Sequence, residues 1–199
     1  MNAPVDPSEV FQVSAQQASI LDAQQARGTV LGAQLIMTFD APIDRQRLEQ
    51  AAIDLSERHE ILRTEYRNMP GMKRPVQVIH AQPRLCLLSV APGTFEQAGP
   101  ACLAQLASHS LVLGLGSGED AHRLRVAAPL ASLDEVALGL LEAQLRALYQ
   151  GQSLAPSTGC NTPTTPIGRL ALRRRTSAAR GRVLAQSVPR HAGRLASAL

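Results

Sequence analysis

Arg58-His59-Glu60-Ile61-Leu62-Arg63-Thr64-Glu65-Tyr66 reads as a helix end that turns directly into a strand. Upstream, residues 44–59 place Leu48, Ala52, Leu55 and His59 at helical spacing, so one stripe faces a core. Within the stretch, Ile61, Leu62, Thr64 and Tyr66 supply β-branched and aromatic residues with polar ones between them. Two arginines, a histidine and two glutamates around an apolar junction need mutual pairing, because an unpaired buried charge is costly. Two readings stand: a solvated helix end, or a charge cluster that locks a helix to a sheet.

Working outward, Asp44 is the N-cap of the helix that leads into this stretch. Earlier, residues 11–13 form a brief strand or an apolar staple. Ser14 with Gln17 three residues on makes a capping box for a helix over 15–26, which Gly28 closes. Residues 29–39 alternate as a strand. After Tyr66, Asn68-Met69-Pro70-Gly71 is a turn, and residues 75–80 and 85–90 read as two strands. A helix is expected over 94–108, its first half weakened by Gly99-Pro100. Residues 111–115 and 124–128 form a hairpin around Gly116-Ser117-Gly118. These glycines do not make G-x-G-x-x-G and no Walker lysine follows, so they read as a turn and not as a phosphate cradle. Ser132 or Asp134 caps a last helix to Tyr149, with Val136, Leu140, Leu141, Leu145 and Leu148 on its apolar side. The order implies an α/β or α+β two-layer fold, a mixed sheet packed with helices, ending near Gln150.

Charge divides the 199 residues in two. The formal net charge of +4 conceals a first 150 residues with 12 basic and 16 acidic side chains. The tail, 151–199, carries eight arginines and no Asp, Glu or Lys. Its basicity therefore gives no reason to expect nucleic-acid binding by the domain. Cys86, Cys102 and Cys160 are scattered, without a C-x-x-C or Cys/His cluster for a metal or a disulfide framework. With no signal peptide and no membrane-length apolar run, the expectation is a cytoplasmic protein off the membrane.

Arg58 to Tyr66 resembles the R-H-E-x-L-R-T-x-F motif of condensation domains from nonribosomal peptide synthetases, with Tyr in the last place. Ser14-Ala15-Gln16 is similar to the S-x-A-Q opening motif of that family, shortened by one residue. The likeness runs over about 11–154 and implies a single lobe of a two-lobed fold related to chloramphenicol acetyltransferase. It also implies the parent reaction: amide bond formation between aminoacyl thioesters held on the phosphopantetheine of carrier proteins, with no cofactor in the domain itself. The family's chemistry rests on H-H-x-x-x-D-G, whose second His faces the acceptor amine. Aligning Asp134 with that Asp puts Pro129 and Leu130 where the histidines belong and Glu135 in place of Gly. Leu130 has neither a proton to exchange nor a lone pair. The resemblance also implies that Asp134 pairs with an arginine of the motif, so that Arg58, His59, Arg63 and Asp134 make a structural clamp without catalysis.

The tail admits three readings: a basic arm, a linker, or out-of-frame polypeptide. The last is favoured, because residues 161–168, back-translated with suitable synonymous codons and read two bases later, give H-A-D-Y-A-D-W. That string resembles the family's next segment, Y-A-D-Y-A-x-W, and sets a frameshift near residues 156–160. The functional expectations are a truncated, inactive condensation-type domain; a docking module for a carrier protein or synthetase partner; or an acyltransferase that works as an oligomer. A lobe without its partner is also expected to self-associate through the open face.

Overall fold

A computed structural model describes residues 10–154 and 184–189, and the frameshift reading of 156–168 lies outside them. Local signals set the first elements. β1 (Val10–Gln12) leads to Ser14, whose hydroxyl accepts from the Gln17 N–H while the Gln17 side chain returns to the Ser14 N–H. α1 (Ala15–Arg27) thus starts on a complete capping box and ends at Gly28, whose φ of 62° suits a residue without Cβ. β2 (Thr29–Thr38) follows, then α2 (Arg45–Arg58), whose cap Asp44 accepts from the Arg47 N–H at 2.8 Å.

At the decisive stretch the chain departs from the sequence reading. The helix does not pass straight into a strand: a 3-10 turn, Glu60–Arg63, intervenes before β3 (Thr64–Arg67). That turn lets Leu62 drop into the core while Glu60 and Arg63 remain half-exposed. β4 (Val76–Ile79) and β5 (Leu85–Ser89) come next. The helix expected over 94–108 shrinks to a 3-10 turn at Glu96–Ala98 and α3 (Gly99–Gln105), with Pro100 in the first turn, where its missing N–H costs nothing. β6 (Leu111–Leu115) and β7 (Arg123–Pro129) form the expected antiparallel pair, Leu115 opposite Leu124. α4 (Glu135–Tyr149) takes Asp134, not Ser132, as its cap.

The strands make two sheets, not one. β1, β4 and β3 form a small antiparallel sheet in the order β1-β4-β3. The larger sheet is ordered β5-β6-β7-β2-β8, where β8 (Leu184–Pro189) pairs antiparallel with β2. β5 and β6 are parallel, and α3 lies in the crossover between them, as a parallel pair requires. β8 is a strand that the sequence reading of the tail did not contain.

Each face of the larger sheet has its own apolar cover. Ala33, Leu35 and Met37 of β2 pack with Leu48, Ala52 and Leu55 of α2 and with Leu138, Leu141 and Leu145 of α4. On the other face Val30, Val112 and Ala127 meet Cys102, Leu103 and Leu106 in and beside α3. Each fully buried leucine is worth about 1.5–3 kcal/mol against exposure, so the two clusters hold the helices in place. The apolar side of α4 differs from the one its sequence implies. Val136 and Leu140 stand 58% and 48% exposed, while Ala137 and Leu138 take the buried positions.

Candidate functional site

The segment aligned with the family's catalytic motif is the loop from the end of β7 to α4. Pro129 closes β7, and its carbonyl accepts from the Ser132 N–H at 2.9 Å and the Leu133 N–H at 3.1 Å, making a tight turn. Leu130 uses its N–H on the Leu31 carbonyl at 3.0 Å and rests its partly buried side chain against the main core. Nothing in that side chain can take or give a proton. Asp134 spends its carboxylate on the start of α4, where Oδ1 accepts from the Ala137 N–H at 2.8 Å.

A hydrogen-bond network holds this turn from the side of β3. The Tyr66 hydroxyl donates to the Ala131 carbonyl at 2.8 Å and lies 3.2 Å from the Ser132 hydroxyl. Gln17 Nε2 reaches the Tyr66 oxygen at 3.1 Å and the same Ala131 carbonyl at 3.3 Å. Burial pushes the Tyr66 phenol up to about 12, beyond what its hydrogen bonds with Ser132 and Gln17 pull back. The glutamine of the opening segment that reaches the loop is therefore Gln17, whereas Gln16 is exposed. One side chain thus serves both the helix cap and the loop.

The four residues expected to form a clamp go to different places. Arg58 lies in the last turn of α2, and His59 Nε2 stands 2.6 Å from Gln144 Oε1, tying α2 to α4. Arg63 donates from Nη1 to the His80 carbonyl at 2.7 Å and lies 3.8 Å from Glu60 through Nη2. Asp134 enters none of the ion pairs among the described residues. The Arg63–Asp134 arm of the clamp is thus not formed. Arg63 is turned toward the end of β4, and the helix terminus claims the Asp134 carboxylate.

The charge pairing that the motif demands is centred instead on Glu65. Its Oε2 accepts from Arg67 at 2.9 Å, lies 2.9 Å from His80 Nε2 and accepts from Arg84 at 3.1 Å. Burial alone would raise the Glu65 carboxyl, but the bonds to Arg67 and His80 and the nearby Arg84 charge hold it below the ordinary carboxylate range. Arg84 also donates to the Ser108 carbonyl at 2.6 Å, so the cluster fastens β3 to the segments flanking β5 and β6. Sequence reasoning missed it because His80 and Arg84 lie 15 and 19 residues away from Glu65. The signal available was a lone glutamate inside a β run that needed cationic neighbours.

No family model matches the chain. In sequence it is 28% identical to tyrocidine synthase 3 of Brevibacillus parabrevis, over 76% of this chain and 2% of that protein. The fold superposes on the condensation domain from the monacolin K polyketide synthase MokA with a TM-score of 0.57 at 21% identity, covering 74% of this chain and 36% of that one. The epimerization domain from the third module of tyrocidine synthetase B gives 0.53 at 16% identity, with 73% and 36% covered. The starter condensation domain of the rhizomide synthetase RzmA, as a double mutant, gives 0.53 at 15%, with 73% and 39% covered. The chain spans little more than a third of those structures. Over that third, mixed sheets packed with helices give this chain the fold of a condensation domain.

Proposed function

We propose that this chain is a condensation-type domain related to nonribosomal peptide synthesis that does not itself form amide bonds. One observation supports the reading: with Asp134 aligned on the Asp of H-H-x-x-x-D-G, Pro129 and Leu130 fall at the two histidine positions, and the Leu130 side chain rests against the core. Three of the four described histidines are committed elsewhere, and the fourth, His122, precedes β7 at the opposite end of that strand from Leu130. His59 meets Gln144, His80 meets Glu65, and His109 holds the Gln105 carbonyl through Nδ1. The test is a condensation assay with two carrier proteins, each loaded with an aminoacyl thioester. No dipeptidyl product above the protein-free blank is expected; amide formation by the wild-type chain overturns the proposal.

A second reading, a docking module that holds a carrier protein, draws support from Val136 and Leu140, exposed one turn apart on the helix that begins at the loop. Replacing both by Asp should abolish retention of a carrier protein on an immobilised chain. Equal retention by wild type and variant rules this face out.

A further inference from the structure

On the side of β2 away from β7, two polar side chains are left unanswered by the strand that pairs there. Thr29 Oγ1 and both amide atoms of Gln34 are buried without a partner among the described residues, and Gln34 is only 1% exposed. The two residues mark the limits of the pairing with β8: Thr29 stands opposite Pro189, and Gln34 stands opposite Leu184. Proline and leucine have no side-chain donor or acceptor, so the residues placed nearest cannot answer either group. Buried polar groups are bonded as a rule, and each one left without a partner is costly. We propose that this side of β2 is a docking site for a strand of another protein, which takes the place of β8 and brings an amide side chain opposite Gln34 and a hydroxyl opposite Thr29.

Directly opposed residues of an antiparallel pair project from the same face with Cβ atoms about 5 Å apart, within reach of amide-to-amide and hydroxyl-to-hydroxyl bonds. The spacing from Thr29 to Gln34 is odd, so the two side chains leave opposite faces of the sheet and both faces of the incoming strand are read together. Between them Val30, Leu31, Gly32 and Ala33 offer no polar side chain, and the backbone ladder alone holds the incoming strand there. A second copy of this chain is not the occupant, because its own residues 184–189 would bring the same leucine and proline. The site is a sheet edge, so the inference is independent of any condensation chemistry at Leu130.

Fluorescence anisotropy with the full chain tests this. Two dye-labelled hexapeptides are compared: residues 184–189 as they stand, and the same peptide carrying Leu184→Gln and Pro189→Ser. β8 competes from its own tether at an effective concentration on the order of millimolar, so the unchanged peptide should hardly bind. The substituted peptide should bind about a hundredfold tighter, about tenfold for each group it satisfies. In the chain, Gln34→Leu should weaken the substituted peptide by about tenfold and raise the melting temperature, because it removes a buried amide that has no partner. Thr29→Val should weaken that peptide by a similar factor. If Gln34→Leu fails to fold, Thr29→Val decides alone. Binding of neither peptide, equal binding of both (as strand exchange between copies would give), or a preference that survives in the variants overturns the proposal.

Discussion

The Tyr66 hydroxyl and the Ala131 carbonyl meet at 2.8 Å, joining the strand that opens at Thr64 to the loop that leads into α4. Removing that hydroxyl in Tyr66→Phe should cost about 1 kcal/mol in denaturant unfolding, since Gln17 still reaches the same carbonyl. The wild type carries a further signature. A phenol raised to about 12 in the fold, from an ordinary value of 10, favours folding fully below pH 10. That contribution should fade between pH 10 and 12, and Tyr66→Phe should show no such loss. Parallel alkaline curves for the two proteins would mean that the hydroxyl is solvated.

Glu65→Gln should be more damaging. It removes the anion shared by Arg67, His80 and Arg84 and leaves crowded cations on the β3 edge, at a cost of about 2 kcal/mol. Because the Glu65 carboxyl is held below its ordinary value, its contribution is present above that value and lost as the pH falls through the folded one. Acid unfolding of the variant should therefore be shallower than that of the wild type, as read by circular dichroism from pH 6 down to 3.

Glycine at 116 answers to its own backbone, not to a phosphate. A Cβ there would collide with the Asp120 carbonyl, which cannot move without breaking the 3-10 turn at Gly118–Asp120. Gly116→Ala should lower stability by about 3 kcal/mol. Gly32→Ala overlaps the ends of Leu103 and Leu106, at 2.5 Å each, which can turn aside, and meets the Ala128 carbonyl at a tight but tolerable 3.3 Å. Its cost should be smaller, and a reversed ranking in thermal melts would contradict the geometry.

Val136 and Leu140 form an exposed apolar pair, and self-association through it is the expected behaviour of the free chain. Replacing both by Asp should lower the sedimentation-average mass and change stability by no more than about 0.5 kcal/mol. Asp at 136, in the first turn of α4, also complements the helix dipole. An unchanged mass would place the contact elsewhere.

What could be read in the sequence was what local chemistry decides. Ser14 with Gln17, Asp44 and Gly28 announce helix ends through bonds that span no more than four residues, and all three end helices as expected. Leu48, Ala52 and Leu55 hold the stripe of α2 because Glu49, Gln50 and Asp54 mark its opposite, polar side. α4 offers no such contrast. Apolar residues occupy most of its positions, so Val136 and Leu140 fit a stripe as well as Ala137 and Leu138 do, and only the sheet decides. The loop around Leu130 was legible as the segment on which the proposed function turns. Its supports were not, because Tyr66 to Ala131, His59 to Gln144 and Glu65 to Arg84 are pairings set by topology.

β2 leaves the ribosome well before Leu184–Pro189, which pairs with residues 29–34. In the interval that flank of the nascent sheet has open amides and carbonyls, available to any extended neighbour. Translation that halts before codon 189 would thus release chains with a bare border. Their fate would rest on chaperones rather than on their own packing.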